Sequence, residues 1–253
     1  MDDASRNLAT ERRLEWLRQR LDEMGQVLIR DAAAALDVSE MTVRRDLSDL
    51  EGLGIARRVR GGAVAVGPST FAERHRRAAR AKGIIAAKLM PLLPHSGAIA
   101  IDASSTMLRL VNAMVGARDL TVVTNGHQSF LALQGKPGVS PVLTGGTLDP
   151  HSDSLVGPVA LRSAETFLLS HLFVSAAAVD PALGPSEAAV EDAEVKRALA
   201  ARAGTVVLAV DQSKLGHRAL AVDFDWDAVD LLITDLPPDH PKLVGYRERV
   251  EVR

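Results

Sequence analysis

No cysteine occurs among the 253 residues. Its absence excludes disulfides, thiolate metal sites and cysteine nucleophiles, and it fits a reducing compartment. Aromatic side chains are scarce, at 3% (one Tyr, two Trp and five Phe), so the core must be built mainly from Ala, Val and Leu. Tightly layered α/β folds have that make-up. No apolar run approaches the roughly 18 residues that a membrane span needs. The opening "MDDASRNLATERR" is acidic and then basic, with no apolar stretch behind it, unlike a secretion signal. The expectation is a soluble, cytoplasmic protein without a membrane partner. Neither sign of charge dominates: 30 Lys and Arg face 32 Asp and Glu, for a net charge of -2. Any affinity for nucleic acid must therefore be local.

Signatures of catalysis are missing as well. "GLGIAR" begins like a dinucleotide fingerprint, but Arg57 stands in the third glycine's place and a helical pattern, not a strand, precedes it. "QGKPG" lacks the upstream glycine of a P-loop, and no G-x-S-x-G occurs. The seven histidines are scattered, none at H-x-H or H-E-x-x-H spacing. Neither a metal, a cofactor nor a catalytic residue is expected.

What is present begins with helices. In "TERRLEWLRQRLDEMG", Leu14, Leu17, Leu21 and Met24 recur at helical spacing and Gly25 supplies a stop. "RDAAAALDV" predicts a short second helix. Ser39 is a good N-cap for a third, since its hydroxyl can accept from the free N–H groups of the first turn. Val43, Leu47 and Leu50 line one face of that helix, and Met41, Arg44, Arg45 and Ser48 fall on the outward side. Gly52 and Gly54 end it. "IARRV-RGG-AVAV" then reads as two strands around a glycine turn. Three short helices and a hairpin make a winged helix-turn-helix, whose third helix enters a DNA major groove.

An ordinary three-helix bundle with a solvated charged face would share that pattern. Residues 57 to 82 decide against it. They carry eight Arg or Lys against a single acid, Glu73, a concentration suited to neutralising phosphates. Ser39, Met41, Thr42, Arg44, Arg45 and Ser48 on the helix, with Arg57, Arg58 and Arg60 on the wing, are the candidate DNA contacts. "VGPSTFAER" contains a Gly-Pro-Ser interruption and predicts a linker. The organisation expected is a DNA-binding domain over 1–66, a basic linker over 67–80 and a larger domain over 81–253.

Beyond residue 83 short apolar runs appear: "AIAID", "LTVVTN", "PVLTGG", "LFVSAA", "TVVLAVD" and "LLITD". Helical stretches lie between most of them, including "STMLRLVNAMV", "GPVALRSAETFLL" and "EDAEVKRALAARAG". Continuous apolar strands interleaved with helices predict an α/β domain with a mainly parallel, Rossmann-like sheet covered on both faces. Ligands of such sheets bind beyond the carboxyl ends of the strands, where this chain places small polar residues. Asp102 could accept from sugar hydroxyls. Ser104, Ser105 and Thr106 open a helix, whose free N–H groups and dipole suit an anion. Thr124 with Asn125 and Gly145 with Gly146 end two further strands, and Lys214 adds a point charge. A serine after one strand is usually a helix cap; four polar strand ends in one sheet suggest a pocket.

The motif "S-x-x-T-V-R-R-D-L-x-x-L-E" (39–51), followed by "R-x-R-G-G-A" (58–63), resembles the N-terminal signature of the DeoR family of bacterial transcriptional regulators. The likeness continues through Lys82, Asp102, "STM", "LTVVTN", Gly145–Gly146, "LVG", "EVKRAL" and "DQSK", and covers nearly the whole chain. It implies a larger domain similar to sugar-phosphate isomerases that senses a phosphorylated sugar or a related metabolite. Three departures stand out. Arg60 replaces the usual wing histidine. Ser104 replaces a glycine whose backbone conformation serine adopts reluctantly, which predicts an altered anion loop. His171 and Ser175 stand where Asp and Gly are common.

Together these features predict a regulator, most simply a homo-oligomeric repressor, that binds an operator in double-stranded DNA. A small effector, expected to be a sugar phosphate, would control it through Asp102, Ser104, Ser105, Thr106, Thr124, Asn125, Gly145, Gly146, Glu187 and Lys214. The rival is an isomerase-like enzyme with an appended DNA-binding module, in which Glu187, Glu191 or Asp102 would move the proton. A structural nucleoid protein is disfavoured because it leaves the α/β domain without a task.

Overall fold

The computed structural model describes residues 3–53, 55–65 and 70–253, in two compact units, Met1–Arg77 and Ala78–Arg253. The first runs through α1 (Asp3–Met24), β1 (Gln26–Leu28), α2 (Ile29–Leu36), α3 (Glu40–Gly52), β2 (Ala56–Val59), β3 (Gly62–Ala65) and α4 (Phe71–Arg76). Leu17 and Leu21 of α1 meet Ala32 of α2, Val43, Leu47 and Leu50 of α3, and Ala63 of β3 in one core. Each such leucine contributes about 1.5–3 kcal/mol by leaving water. The side chain of Met24 is not among those described.

Two details depart from the sequence reading. α2 stops at Leu36, because Asp37 takes a left-handed conformation (φ 52°) that aspartate tolerates better than most residues. The wing has three strands, not two: β1 pairs with β3, giving the antiparallel order β1-β3-β2. Three residues are too few for alternation to show. The pairing explains the Gly-Gly turn, since Gly61 has φ +89° and a Cβ on Gly62 would lie 2.0 Å from the carbonyl oxygen of Val27.

Gly54, Val66 and the Gly-Pro-Ser interruption at 67–69 lie outside the described residues. The remainder of the expected linker is helical rather than irregular. Thr70 and Glu73 form a reciprocal capping box at the start of α4, so the patch's single acid serves as a cap. Arg77 donates from Nη2 to the carbonyl of Leu21 at 3.1 Å. That bond ties the end of α4 to α1, and the first unit extends to Arg77 accordingly.

The second unit comprises α5 (Ala79–Leu89), β4 (Ser96–Ile101), α6 (Ser105–Ala113), β5 (Asp119–Thr124), α7 (His127–Leu133) and β6 (Val139–Leu143). There follow β7 (Thr147–Asp149), β8 (Ser154–Val156), α8 (Pro158–Ala164), β9 (His171–Val174), β10 (Ala178–Asp180), β11 (Gly184–Glu187) and α9 (Val190–Ala200). The chain finishes with β12 (Val206–Ala209), β13 (Ala221–Val222), β14 (Leu231–Ile233), α10 (Val244–Arg247) and β15 (Glu251–Val252). Seven strands form one sheet in the order β15-β14-β12-β9-β4-β5-β6, and every pairing in it is parallel.

Alternation within the strands separates two cores. Ile99, Ile101, Val122, Phe173, Val207 and Ile233 pack with Ile85 and Leu89 of α5 and Met107 and Leu110 of α6. Ala100, Val123, Leu172, Val174 and Leu208 face Ala160 and Ala164 of α8 and Val195 and Leu199 of α9. Burial on both faces is why these strands read as unbroken apolar runs. α8 is shorter than the sequence suggests: it ends at Ala164, where the Thr166 hydroxyl bonds the carbonyl of Ser163 (2.7 Å) and competes with the helical bond. Two small antiparallel sheets, β7-β8 and β10-β11-β13, extend from the main sheet's loops. Among the described residues no helix is long and apolar enough to cross a membrane, and no group of three or more His, Asp or Glu could hold a metal ion.

Candidate functional site

α3 presents two faces. Val43, Asp46, Leu47 and Leu50 are buried, while Arg44 and Arg45 are exposed and Met41 is 70% exposed. Ser48 lies half-buried at the margin. An exposed methionine beside two exposed arginines is a surface open to a partner. Ser39 and Thr42 hold each other: the Ser39 hydroxyl accepts from the N–H of Thr42 at 3.2 Å and lies 2.9 Å from its hydroxyl. They build the helix start. Arg44 donates to Glu40 across one turn at 3.0 Å. Exposed pairs of this kind are worth about 0.3–0.5 kcal/mol, well below the roughly 1.5–3 kcal/mol of a charge-assisted hydrogen bond. Arg44 can be drawn away by a stronger anion.

On the wing Arg57, Arg58 and Arg60 are exposed. Arg58 is fixed by Glu51 at the end of α3, whose carboxylate accepts from its backbone N–H at 2.8 Å and its Nε at 2.7 Å. Those bonds, the backbone one foremost, hold the Glu51 carboxyl below the usual range. Beneath α3, Asp46 receives Arg13 of α1 through Nε at 2.8 Å and Nη2 at 3.2 Å. Sequence reasoning passed over Asp46, although a carboxylate three residues after Val43 and one before Leu47 falls on the apolar face.

In the second unit the strand order reverses at β4: β5 and β6 lie to one side, and β9, β12, β14 and β15 to the other. A crevice opens at the carboxyl ends of strands where such a reversal occurs. Asp102 stands there, fully buried. Its Oδ1 accepts from the N–H of Ser104 at 2.9 Å, and its Oδ2 from that of Ser175 at 3.0 Å. The Oδ2 also lies 3.3 Å from Nζ of Lys196. Sequence reading made Asp102 an acceptor for sugar hydroxyls. With these partners the carboxylate anchors the loops after β4 and β9 to α9.

Ser104 caps α6 with its hydroxyl on the N–H of Met107 at 3.1 Å, and its φ is −74°. This extended conformation is open to any residue, so Ser104 sits in the loop without backbone strain. Ser105 accepts from Lys82 Nζ at 2.9 Å, and the Ser175 hydroxyl lies 3.5 Å from that of Thr106. Register between β4 and β5 sets Thr124 against Ile101, which brings Asn125 alongside Asp102. The Thr124 hydroxyl accepts from Gly126 N–H at 3.0 Å, and Thr144 donates to the carbonyl of Thr124 at 3.0 Å. Gly145 and Gly146 follow directly, at φ +73° and +117°. Gly126 is required here, since a Cβ on it would lie 2.7 Å from Cα of Ala103. The Oδ1 of Asn125 is buried without a hydrogen-bond partner among the described residues.

Glu187, at the end of β11, is brought in by Lys196, whose Nζ donates both to it and to the carbonyl of Ser175 (2.7 Å). Burial alone would lower the Lys196 ammonium, but Glu187, Asp102 and Asp223 outweigh it and raise it above the ordinary lysine value. Lys214, half-buried, ends the short 3-10 turn after β12 that Asp211 caps. The carboxyl ends of β9, β4, β5 and β6 thus present Ser175, Asp102, Asn125 and Thr144 in a row. His171 lies at the opposite end of β9, stacked on Phe173 at 5.8 Å, away from this row.

Lys196 and Asp223 escaped the sequence reading. The signal for Lys196 was available: it lies three residues from both Ala193 and Leu199, on the apolar face of α9, where a lone lysine needs a buried partner. Asp223 has no comparable signal, because "DFDWD" offers three aspartates in alternation and only the first is buried.

A reading helix with a basic wing, and a polar crevice at a parallel sheet's switch point, is the equipment of a ligand-controlled DNA binder. Known proteins agree. Residues 13–68 match the DeoR-like helix-turn-helix domain, and residues 77–236 match the DeoR C terminal sensor domain. The chain belongs to the DeoR family of transcriptional regulators. It is 33% identical to the HTH-type transcriptional regulator GolR of Listeria innocua serovar 6a, over 85% of this chain and 86% of that protein. It is 30% identical to the putative aga operon transcriptional repressor of Escherichia coli O157:H7, over 94% and 91%. Identity to the glycerol-3-phosphate regulon repressor of Escherichia coli (strain K12) is 27%, over 85% and 87%. In this DeoR-family regulator the first unit is the helix-turn-helix domain and the second carries the sensor.

Proposed function

We propose that the chain is a cytoplasmic, homo-oligomeric repressor without catalytic activity, whose operator affinity is set by a phosphorylated sugar or polyol bound at the carboxyl ends of β4, β5 and β6. The single observation that carries this reading is the gathering of polar groups at the switch point, with Asp102 fixing the start of α6. The N–H groups of Ser105 and Thr106 and the hydroxyls of Ser104, Ser105 and Thr106 would hold the phosphate, while the Ser104 N–H stays on Asp102. Lys214 would add charge, Gly145 and Gly146 would let the ligand approach the backbone, and Asn125 would meet a hydroxyl. A relative named for the glycerol-3-phosphate regulon supports a phosphorylated ligand. In the DNA-binding domain, residues 1–66 with the basic segment after it, Arg44, Arg45, Met41 and Ser48 would face the groove. Arg57, Arg58 and Arg60 would meet phosphates.

Of the carboxylates available to an isomerase, Asp102 and Glu187 are paired with Lys196 and Glu191 is exposed in the first turn of α9. That arrangement favours sensing over proton transfer. A ligand can release DNA only through differential affinity for two states, typically about 1–3 kcal/mol of coupling. The test is a mobility-shift titration of DNA from upstream of the gene and its neighbours, with and without glycerol 3-phosphate and hexose 6-phosphates. Release of a specific complex by one of them, with no turnover of it, is expected. DNA binding indifferent to every such compound would refute the effector class.

A further inference from the structure

Asp223 follows β13 and is fully buried, yet neither carboxylate oxygen meets a hydrogen-bond donor among the described residues. Its backbone is held in place: the N–H donates to the carbonyl of Pro185 at 2.9 Å, and its own carbonyl accepts from Arg197 Nη1 at 3.5 Å. The charges acting on it are Lys196, Glu187, Asp102 and Arg197. Lys196 has no donor left to give. An ammonium carries three N–H groups, and the carbonyl of Ser175, Glu187 and Asp102 surround it already.

Leaving a buried polar group unsatisfied costs about 1–3 kcal/mol, and folded proteins seldom tolerate it without a reason. Burial pushes the Asp223 carboxyl up to about 7; Lys196 opposes that, and Glu187 and Asp102 add to it. Lys196 and Arg197 face three carboxyl groups here, so the set favours a hydrogen-bond donor over a phosphate. The unpartnered Oδ1 of Asn125, one strand over from Asp102, is a second acceptor awaiting a donor.

We propose that Asp223 is a specificity-determining residue of the effector site, accepting hydrogen bonds from the donor-bearing end of the ligand, a hydroxyl or an ammonium, remote from its phosphate. The proposal rests on the sensor reading above and narrows it. Lys196, held by Glu187, Asp102 and the Ser175 carbonyl, offsets the mutual repulsion of the three carboxyls. Asp223 is the member left for the ligand.

The test uses the full chain as wild type, Asp223→Asn and Asp223→Val. Calorimetry would be run with sorbitol 6-phosphate, glucosamine 6-phosphate, glycerol 3-phosphate, unphosphorylated sorbitol and inorganic phosphate. Wild type is expected to bind at least one organic probe, and Asp223→Val to bind it about tenfold to a hundredfold more weakly, the worth of a charged hydrogen bond. Asn keeps an acceptor but loses the charge, so it should retain a hydroxyl probe and fail with an ammonium probe. Without ligand, Asp223→Val should melt at or above the wild-type temperature, because an unsatisfied group has been removed; a merely structural aspartate would give the reverse. Equal affinity of all three proteins for every bound probe overturns the proposal, as do variants that melt lower and lose all probes together. Sorbitol binding with the same dependence on Asp223 would keep this inference and refute the phosphate in the sensor reading. A wild type that binds inorganic phosphate alone, or nothing, overturns it.

Discussion

Glu51 grips Arg58 at both its backbone N–H and its guanidinium, at 2.8 and 2.7 Å, and so fastens the wing to the end of α3. One wing arginine is thereby aimed and partly neutralised by a carboxylate of the same unit. Its Nη groups stay available for a phosphate. The bonds hold Glu51 below its ordinary value, so the grip persists as pH falls past the usual glutamate range near 4.3 and is lost only below it. Replacing Glu51 by Gln should free Arg58 and remove a negative charge facing DNA. Random DNA should then bind more tightly, with a salt slope steeper by up to about one unit, and the ratio of operator to random affinity should fall. Mobility shifts at two salt concentrations would reveal an unchanged ratio, which is the outcome that rejects an aiming role.

Arg44 and Arg45 are expected to carry recognition without carrying stability. Each Ala substitution should cost about 1–3 kcal/mol of operator binding if the side chain reads a base edge. The melting temperature should barely move, since neither residue joins the Val43–Leu47–Leu50 face and the Glu40 pair is exposed. Wild-type affinity in the double variant would show that α3 does not read the operator.

Asp46 should behave in the opposite way. It is buried under α3 and receives two hydrogen bonds from Arg13, so Asp46→Asn should cost about 1.5–3 kcal/mol, the range for hydrogen bonds to charged groups. DNA binding should be lost only in step with folding. Urea denaturation followed at the first unit's Trp16 would measure it, and a stable variant with impaired binding would mean that Asp46 acts at the DNA.

How much of this was legible follows the range of the interactions. The helix-turn-helix is local: Ser39 announces its helix through a bond three residues on, and the parallel strands announce themselves through burial on both faces. β1 escaped because a three-residue strand between two helices is defined by its partner, here β3, which lies more than thirty residues on. The site was half legible. Asp102, the serines of α6 and Asn125 follow from the rule that parallel sheets bind ligands at strand ends, and they do lie there. What Asp102 touches could not be read, because Ser175 and Lys196 are 73 and 94 residues further along the chain. That the serine at 104 takes an ordinary extended backbone could not be read either.

Lys196 should prove the least replaceable residue of the second unit. Lys196→Met preserves much of the stem's packing and removes the charge shared by Asp102 and Glu187. Breaking a buried ion pair from one side costs about 3–5 kcal/mol, and Asp102, with two backbone N–H donors of its own, should suffer less than Glu187. The pH dependence separates loss of charge from loss of packing. In wild type the Asp223 carboxyl sits near 7 when folded and near 3.9 when unfolded. The folded state therefore binds the extra proton, and this group costs stability progressively from about pH 4 to pH 7 and no more above that. The Lys196 ammonium, raised in the folded state, contributes stability that is fully present below about pH 10 and fades above it. Without that ammonium the Asp223 carboxyl loses the larger of the two charges that oppose its burial, so Lys196→Met should lose more stability than wild type between pH 5 and pH 8. Thermal melts of both proteins across that range decide the matter: parallel curves would mean that Lys196 matters for its packing, and divergence toward high pH that its charge holds the acceptor set together.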